Sequence, residues 1–273
     1  MERFVMDAGT AIEKEPLVAE DPKGAFEEVK QDNKEKINKV KVKRSELKWD
    51  ISEFGPIVPL GTDVLKDKKM YVFFKRLFDV VLSLFALIVL FPFLLLVALL
   101  IFLDDPKGSP IFIQTRVGRN GKLFRLIKFR SMVVNAEELL EDLKKRGISI
   151  KDPDDPTYKM KDDPRITRMG RFIRKTSIDE LPQLINIIAG DMSIVGPRPP
   201  LPSEVAQYNE FSKQRLLVNQ GLTCYWQTTK DRDYVPFDEW MKMDVRYVFN
   251  CNFWLDCKLI FKTFKVVLTA NGN

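Results

Sequence analysis

The chain has 273 residues, with 44 Lys and Arg against 38 Asp and Glu and a formal net charge of +6. It contains no histidine, which excludes imidazole bases, Ser-His-Asp and Cys-His nucleophiles, and HExxH or Cys2His2 metal sites. Its three cysteines (Cys224, Cys251, Cys257) form neither a C-x-x-C pair nor a disulfide framework, so the chemistry falls to carboxylates, Lys, Arg, hydroxyls and a hard metal ion.

Residues 1–50 mix Lys, Glu and Asp with few aromatics and read as a disordered or loosely helical extension. Residues 51–64, broken by Pro56, Pro59 and Gly61, read as a linker. From Val80 to Leu103 no residue is charged. A helix of that length measures about 36 Å, enough for a bilayer core of about 30 Å. A buried core helix is the plain alternative, but such helices carry a polar stripe and this run has only Ser83. Pro92, at its middle, should break or kink the helix. Basic residues flank both ends, Lys66 to Arg76 before and Lys107 to Lys122 after. Since Lys and Arg favour the cytoplasmic side, a re-entrant segment entering and leaving by one face satisfies both flanks.

Pro110–Thr115 and Lys122–Phe129 alternate as two short strands about a Gly118–Gly121 turn. Asn135–Arg146 is helical, and 151–164 is a polar, proline-broken loop. Arg165–Arg174 and Ile178–Ile188 read as helices around a break at Thr176–Ser177. In Leu259–Leu268, Lys258, Lys262 and Lys265 share one helical face. That suits a helix lying in a membrane interface, or equally a surface helix of a soluble domain. The fold class is α+β, mostly helical. The expected divisions are an extension over 1–70, a re-entrant membrane helix over 71–104, and a catalytic domain over 105–273 ending in an amphipathic helix.

Asp179-Glu180 lies in KTSIDELPQL, where Ser177 and Glu180 have capping-box spacing. A well-capped helix is the simple reading. Upstream stand Arg165, Arg168, Arg171, Arg174 and Lys175; downstream, Gly190-Asp191 leads to Gly196-Pro197-Arg198. That loop could present backbone N–H groups and a guanidinium to phosphate. Acids among bases beside a membrane segment point to metal-assisted phosphate chemistry, in which a carboxylate can itself attack phosphorus. Asp152-Pro-Asp154 is a rival D-x-D metal pattern, unsupported by any strand running into it.

Lys75-Arg76-x-x-Asp79, the proline-centred apolar run, QTRVGRNGKLFRLIKFRSM, RKTSIDELPQLINIIAGDMSIVGPRPPLP and QRLLVNQGLTCYWQ together resemble the bacterial sugar transferases, monotopic polyprenyl-phosphate phosphoglycosyl transferases. The resemblance spans about residues 71–270. It implies transfer of a sugar-1-phosphate from a UDP-sugar to undecaprenyl phosphate with release of UMP. The setting is the cytoplasmic face of a bacterial membrane, and the step begins assembly of a capsule, exopolysaccharide or glycoprotein glycan. It casts Asp179 as nucleophile in a phosphosugar-aspartyl intermediate, and Glu180 as partner in holding Mg2+, with Asp191 near the metal. Lys128, Arg174 and the Gly196-Pro197-Arg198 loop would bind phosphates, and Trp226 and Gln227 would contact substrate. Lys75 and Arg76 would sit at lipid headgroups, with Pro92 breaking the helix. Two positions depart from the pattern: Phe91 stands where many members have Ser, and Cys224 where Gly is common. No nucleic-acid partner is expected, and self-association through the extension is an open alternative. The competing functions are a D-x-D glycosyltransferase releasing UDP and an anionic-lipid-binding scaffold.

Overall fold

The computed structural model describes residues 57–145, 163–229 and 235–268. The extension through residue 56, and with it the Asp152/Asp154 pair, lies outside the described residues. Helix α1 (Lys69–Asp104) runs unbroken through Pro92, correcting the expected break. Proline removes one backbone donor and crowds the carbonyl of Ile88 four residues earlier, but apolar helices tolerate that loss. The helix measures about 54 Å, and one stripe of it is covered along its whole length. Tyr71 and Val72 pack on Leu217, Val248 and Leu259; Ala86 and Leu87 on Leu184 and Ile187; Leu94, Val97 and Ile101 on Phe129 and Ile173. The opposite face leaves Phe73, Phe85, Ile88, Leu95 and Leu103 exposed.

The expected hairpin is present as β1 (Ile111–Val117) antiparallel to β2 (Leu123–Phe129), with Phe112 opposite Lys128. Asn120 and Gly121 take positive φ to close the turn. Helix α2 (Ala136–Lys145) follows as expected. Helix α3 (Arg168–Lys175) is capped by Thr167, whose hydroxyl accepts from the Gly170 amide at 2.9 Å. Arg165 precedes it, paired with Asp163 at 2.7 Å, so the arginine series does not form one helical face. After Ser177, a 3-10 segment (Ile178–Gln183) leads into α4 (Leu184–Ala189).

A second sheet, absent from the sequence reading, pairs β3 (Met192–Val195) parallel with β4 (Gln220–Thr223). Just past β3, Gly196 lies against Gly221 of β4: a Cβ on Gly196 would collide with the Asn219 carbonyl, and one on Gly221 with the Gly196 backbone. Helices α5 (Phe237–Asn250) and α6 (Phe253–Leu268) close the unit. Residues 57–64, from the stretch read as linker, and 65–68 after them pack into it. Leu65 is buried, Val58 exchanges two hydrogen bonds with the Gln214 amide, and Lys68 donates to the Phe249 and Cys251 carbonyls.

Candidate active site

The dyad sits on the 3-10 segment, and the local reason is Ser177. Its φ of 56° is left-handed, so its side chain makes no capping bond and the expected capping box does not form. Glu180 is half-buried on this segment. Its Oε1 accepts from Arg198 Nη1 at 3.5 Å and its Oε2 from Gln227 Nε2 at 3.4 Å. Asp179 lies half-buried beside it.

Three other elements converge on the dyad. Lys128 comes from the end of β2, its ammonium 5.2 Å from the Phe112 ring. The side-chain amide of Asn186 on α4 locks that strand, accepting from the Ile127 amide at 3.0 Å and donating to the Arg125 carbonyl at 2.8 Å. Arg174 ends α3, and Arg198 follows β3. All three cations act electrostatically on Asp179. Even so, burial, reinforced by Glu180, pushes the Asp179 carboxyl up to about 6. Burial and the neighbouring Arg116 and Arg198 push Lys128 down to about 8. Four cations therefore face two carboxylates, an excess positive field suited to a diphosphate.

Arg116 was within a quoted motif, but its role was not read from it. It donates to the Pro199 carbonyl at 2.9 Å and to Gln114 at 2.7 and 3.1 Å, and burial lowers it to about 10. It is one of several donors from outside that hold the carbonyls of the Gly-Pro-Arg-Pro loop. The Val195 carbonyl takes Lys75 and Tyr247, Pro197 the Gly221 amide, Arg198 the guanidinium of Arg215, and Pro200 the Val117 amide. Prolines 197, 199 and 200 have no N–H, and that of Gly196 is spent on the Thr223 carbonyl. The expectation that this loop offers a row of amides is corrected: it presents the Arg198 side chain.

Other expected residues fall elsewhere. Lys75 and Arg76 turn into the protein, not toward headgroups. Lys75 binds the Val195 carbonyl at 3.0 Å and Asp256 at 2.8 Å; Arg76 caps α4 through the Ile187 and Ile188 carbonyls at 2.6 and 2.8 Å. A helix C-terminus attracts a cation as a phosphate would. Asp191 immediately precedes β3, at the far end of α4 from the dyad, its amide bonded to the Asn186 carbonyl at 3.0 Å. Among the described residues no three His, Cys, Asp or Glu side chains gather, so Asp191 does not complete a three-carboxylate metal site. Trp226 is buried, stacked on Trp240 at 4.8 Å and lying 6.0 Å from the Arg198 guanidinium. Gln227 reaches Glu180. Pro92 and Phe91 are exposed on α1, and Cys224 fills a buried cluster with Trp226 and Val235.

Comparison with known proteins identifies the family. The chain is 43% identical over 205 residues to the undecaprenyl-phosphate galactose phosphotransferase of Salmonella typhimurium, covering 75% of this chain and 42% of that protein. It is 37% identical over 229 residues to the undecaprenyl-phosphate glucose phosphotransferase of Komagataeibacter xylinus, covering 80% and 40%. Similarity to the exopolysaccharide production protein ExoY of Sinorhizobium fredii is 39% over 199 residues, covering 73% and 87%. The chain thus spans under half the length of the two phosphotransferases. A family model described as bacterial sugar transferase matches residues 70–270, a span that takes in the dyad, Lys128 and the Arg198 loop. The chain belongs to the bacterial sugar transferase family.

Proposed function

We propose that the chain transfers a sugar-1-phosphate from a UDP-sugar to undecaprenyl phosphate through a phosphosugar-aspartyl intermediate on Asp179, releasing UMP. The observation that carries this reading is a half-buried carboxylate enclosed by Lys128, Arg174 and Arg198. With its acidity set at about 6, Asp179 is ionised at pH 7 yet poorly solvated, which favours its use as a nucleophile.

A carboxylate oxygen of Asp179 attacks the phosphorus bearing the sugar, and the bond from that phosphorus to the bridging oxygen breaks. That oxygen leaves on UMP. Lys128, Arg174 and Arg198 surround the carboxylate and take up the charge spreading over the phosphoryl oxygens. An oxygen of the lipid phosphate then attacks the same phosphorus, the acyl-phosphate bond breaks, and Asp179 is restored as carboxylate. Arg198 and Gln227 each donate to one oxygen of Glu180 and so fix its carboxylate beside Asp179.

Two adjacent carboxylates without a third fit Mg2+ that arrives with the nucleotide, since this ion takes one or two carboxylates and completes its shell with phosphates and water. Glu180, with Asp179 before attack, would hold it. The ion would neutralise diphosphate charge.

The attachment of α1 supports a monotopic attitude. One stripe packs on the same unit from Tyr71 to Ile101, so both ends stay on one side, and the exposed apolar face is what meets lipid. On α6, Trp254, Phe261 and Phe264 are exposed next to Lys258, Lys262 and Lys265, a pattern of apolar body and snorkelling charge suited to the interface on the cytoplasmic face. The names of the relatives specify galactose and glucose, so the sugar is to be read from a donor panel. Detergent-solubilised protein with Mg2+, undecaprenyl phosphate and UDP-sugars is expected to release UMP with one donor. Release of UDP would mean transfer without phosphate and would remove Asp179 as nucleophile.

A further inference from the structure

Arg215 has no part in the chemistry above, yet it is the largest fully buried side chain among the described residues. It stands in the 3-10 turn Gln214–Leu217 with no exposed surface. Taking a guanidinium out of water is costly, and its partners show what the burial secures. Nη2 lies 2.7 Å from Asp244 of α5, itself fully buried, and 2.8 Å from the Arg198 carbonyl. Nη1 donates to the Tyr208 hydroxyl at 2.7 Å. Gln220 Nε2 in turn holds the Arg215 carbonyl at 3.1 Å.

A second path returns to the same residue. The Arg215 guanidinium lies 5.0 Å from the Trp240 ring, Trp240 stacks on Trp226 at 4.8 Å with an interplanar angle of 23°, and Trp226 lies 6.0 Å from the guanidinium of Arg198. Arg198 is therefore gripped at both ends. Its carbonyl is bonded to Arg215 directly, and its guanidinium is shelved on two indoles whose far side rests on Arg215. Each ring–cation contact places positive charge over a negative π face. The loop's other carbonyls are held independently by Lys75, Arg116 and backbone amides, so the segment Arg215 governs is Arg198 itself.

Building on the reading of Asp179 and Arg198 as phosphate machinery, we propose that the buried Arg215–Asp244 pair is the positioning device for Arg198, setting its guanidinium toward Glu180 and the reacting phosphoryl group through this closed ring. Arg215 touches neither substrate nor dyad. It acts through Arg198.

The test is a cycle against Arg198. Arg215→Met combined with Asp244→Leu replaces the ion pair by apolar groups of similar size, an exchange that buried pairs commonly survive without loss of stability. Arg215→Lys is the second variant, keeping the charge on Asp244 but not the fork. Both are made in the wild-type and the Arg198→Ala backgrounds. Expected is a fall of about 10- to 100-fold in kcat for nucleotide release from a UDP-sugar, since small misplacements of a positioned group cost that much. Arg215→Lys should show a smaller fall. In the Arg198→Ala background the same changes should cost less than about 2-fold, because a residue acting through Arg198 has nothing left to position. An equal fall in both backgrounds, or none in either, overturns the proposal.

Hydrogen exchange gives a readout independent of which nucleotide is released. Exchange of the Val195, Gly196 and Arg198 amides should quicken in the Met/Leu variant, while the β1–β2 hairpin stays unchanged. Unchanged exchange at those amides also overturns it. UDP in place of UMP from the wild type would instead overturn the transfer mechanism and leave this cycle readable.

Discussion

Replacing Asp179 with Asn should stabilise the protein while abolishing turnover. The wild-type carboxyl titrates at about 6 when folded, against an ordinary value of 3.8, because burial and Glu180 outweigh the attraction of Lys128, Arg174 and Arg198. Between pH 4 and 6 the folded state keeps a proton that the unfolded state has lost, so stability falls as pH rises through that window. Above pH 6 the cost is fully present, about 3 kcal/mol for a shift of about two units. An amide is uncharged at every pH and escapes it. Allowing for its imperfect match to a carboxylate's hydrogen bonds, the gain should be about 1–3 kcal/mol at pH 8, or roughly 2–10 °C in a domain of this size. Thermal unfolding of both proteins in detergent, with EDTA and without nucleotide, should show the gap at pH 8 and its disappearance near pH 4. A variant less stable than wild type at pH 8, or a gap that widens toward pH 4, would refute the balance of charge and burial argued for the site. Near-full activity would refute the nucleophile.

The kcat/KM of the wild type for the UDP-sugar should rise as pH passes about 6, when Asp179 ionises, and decline above about 8, when Lys128 loses its proton. Lys128→Arg should abolish the alkaline decline within the range where the protein is folded, and a profile unmoved by it would detach Lys128 from that limb. Gly196→Ala forces a Cβ against the Asn219 carbonyl and should cost on the order of 3 kcal/mol, read as a lowered unfolding midpoint with loss of nucleotide release. Trp254→Ser combined with Phe261→Ser removes two exposed aromatics from α6 and should weaken membrane association by about 2–3 kcal/mol per ring. Flotation with lipid vesicles measures this, and unchanged flotation would mean that α6 does not meet the bilayer.

What the sequence disclosed followed from local pattern. The hairpin, α2 and the apolar helix each rest on periodicity or turn residues within one segment, and each was found within a few residues of its place. The β3–β4 pairing was not legible, because a parallel pair between strands 28 residues apart in register leaves only two four-residue runs, MSIV and the largely polar QGLT. The dyad was visible as two acids among bases, but its local geometry was misread. Ser177 matches a capping box in spacing, but its backbone is left-handed and its side chain makes no cap. Lys75 and Arg76 show the same limit in another form. A basic pair before an apolar run has the same letters whether it greets headgroups or plugs a helix end, and only the carbonyls of Val195, Ile187 and Ile188 decide between them. Arg215 was unreadable for the converse reason: nothing local marks an arginine whose partners lie at 198, 208, 240 and 244.

Asp179 and Lys128 carry opposite charges within one site, yet each is held in its less ionised direction. Burial accounts for most of this, and like neighbours for the rest, with Glu180 beside the acid and Arg116 and Arg198 beside the lysine. A bound diphosphate would alter the two unequally. Its negative charge offsets the arginines around Lys128 and restores an ordinary ammonium, while at alkaline pH Asp179 stays ionised with or without it. Nucleotide binding at pH 8.5 should therefore draw a proton from solution. With Lys128 at about 8 when free and near its ordinary 10.5 when bound, its protonated fraction rises from about one quarter to nearly all, an uptake of about 0.7 proton. Calorimetric titration of UDP into the protein in two buffers of different ionisation enthalpy measures that number directly. At pH 7 the lysine is already largely protonated, so its share of the uptake should shrink to about 0.1. Lys128→Arg should abolish the uptake at pH 8.5. Equal heats in the two buffers at pH 8.5 for the wild type would show that the phosphates do not seat beside Lys128.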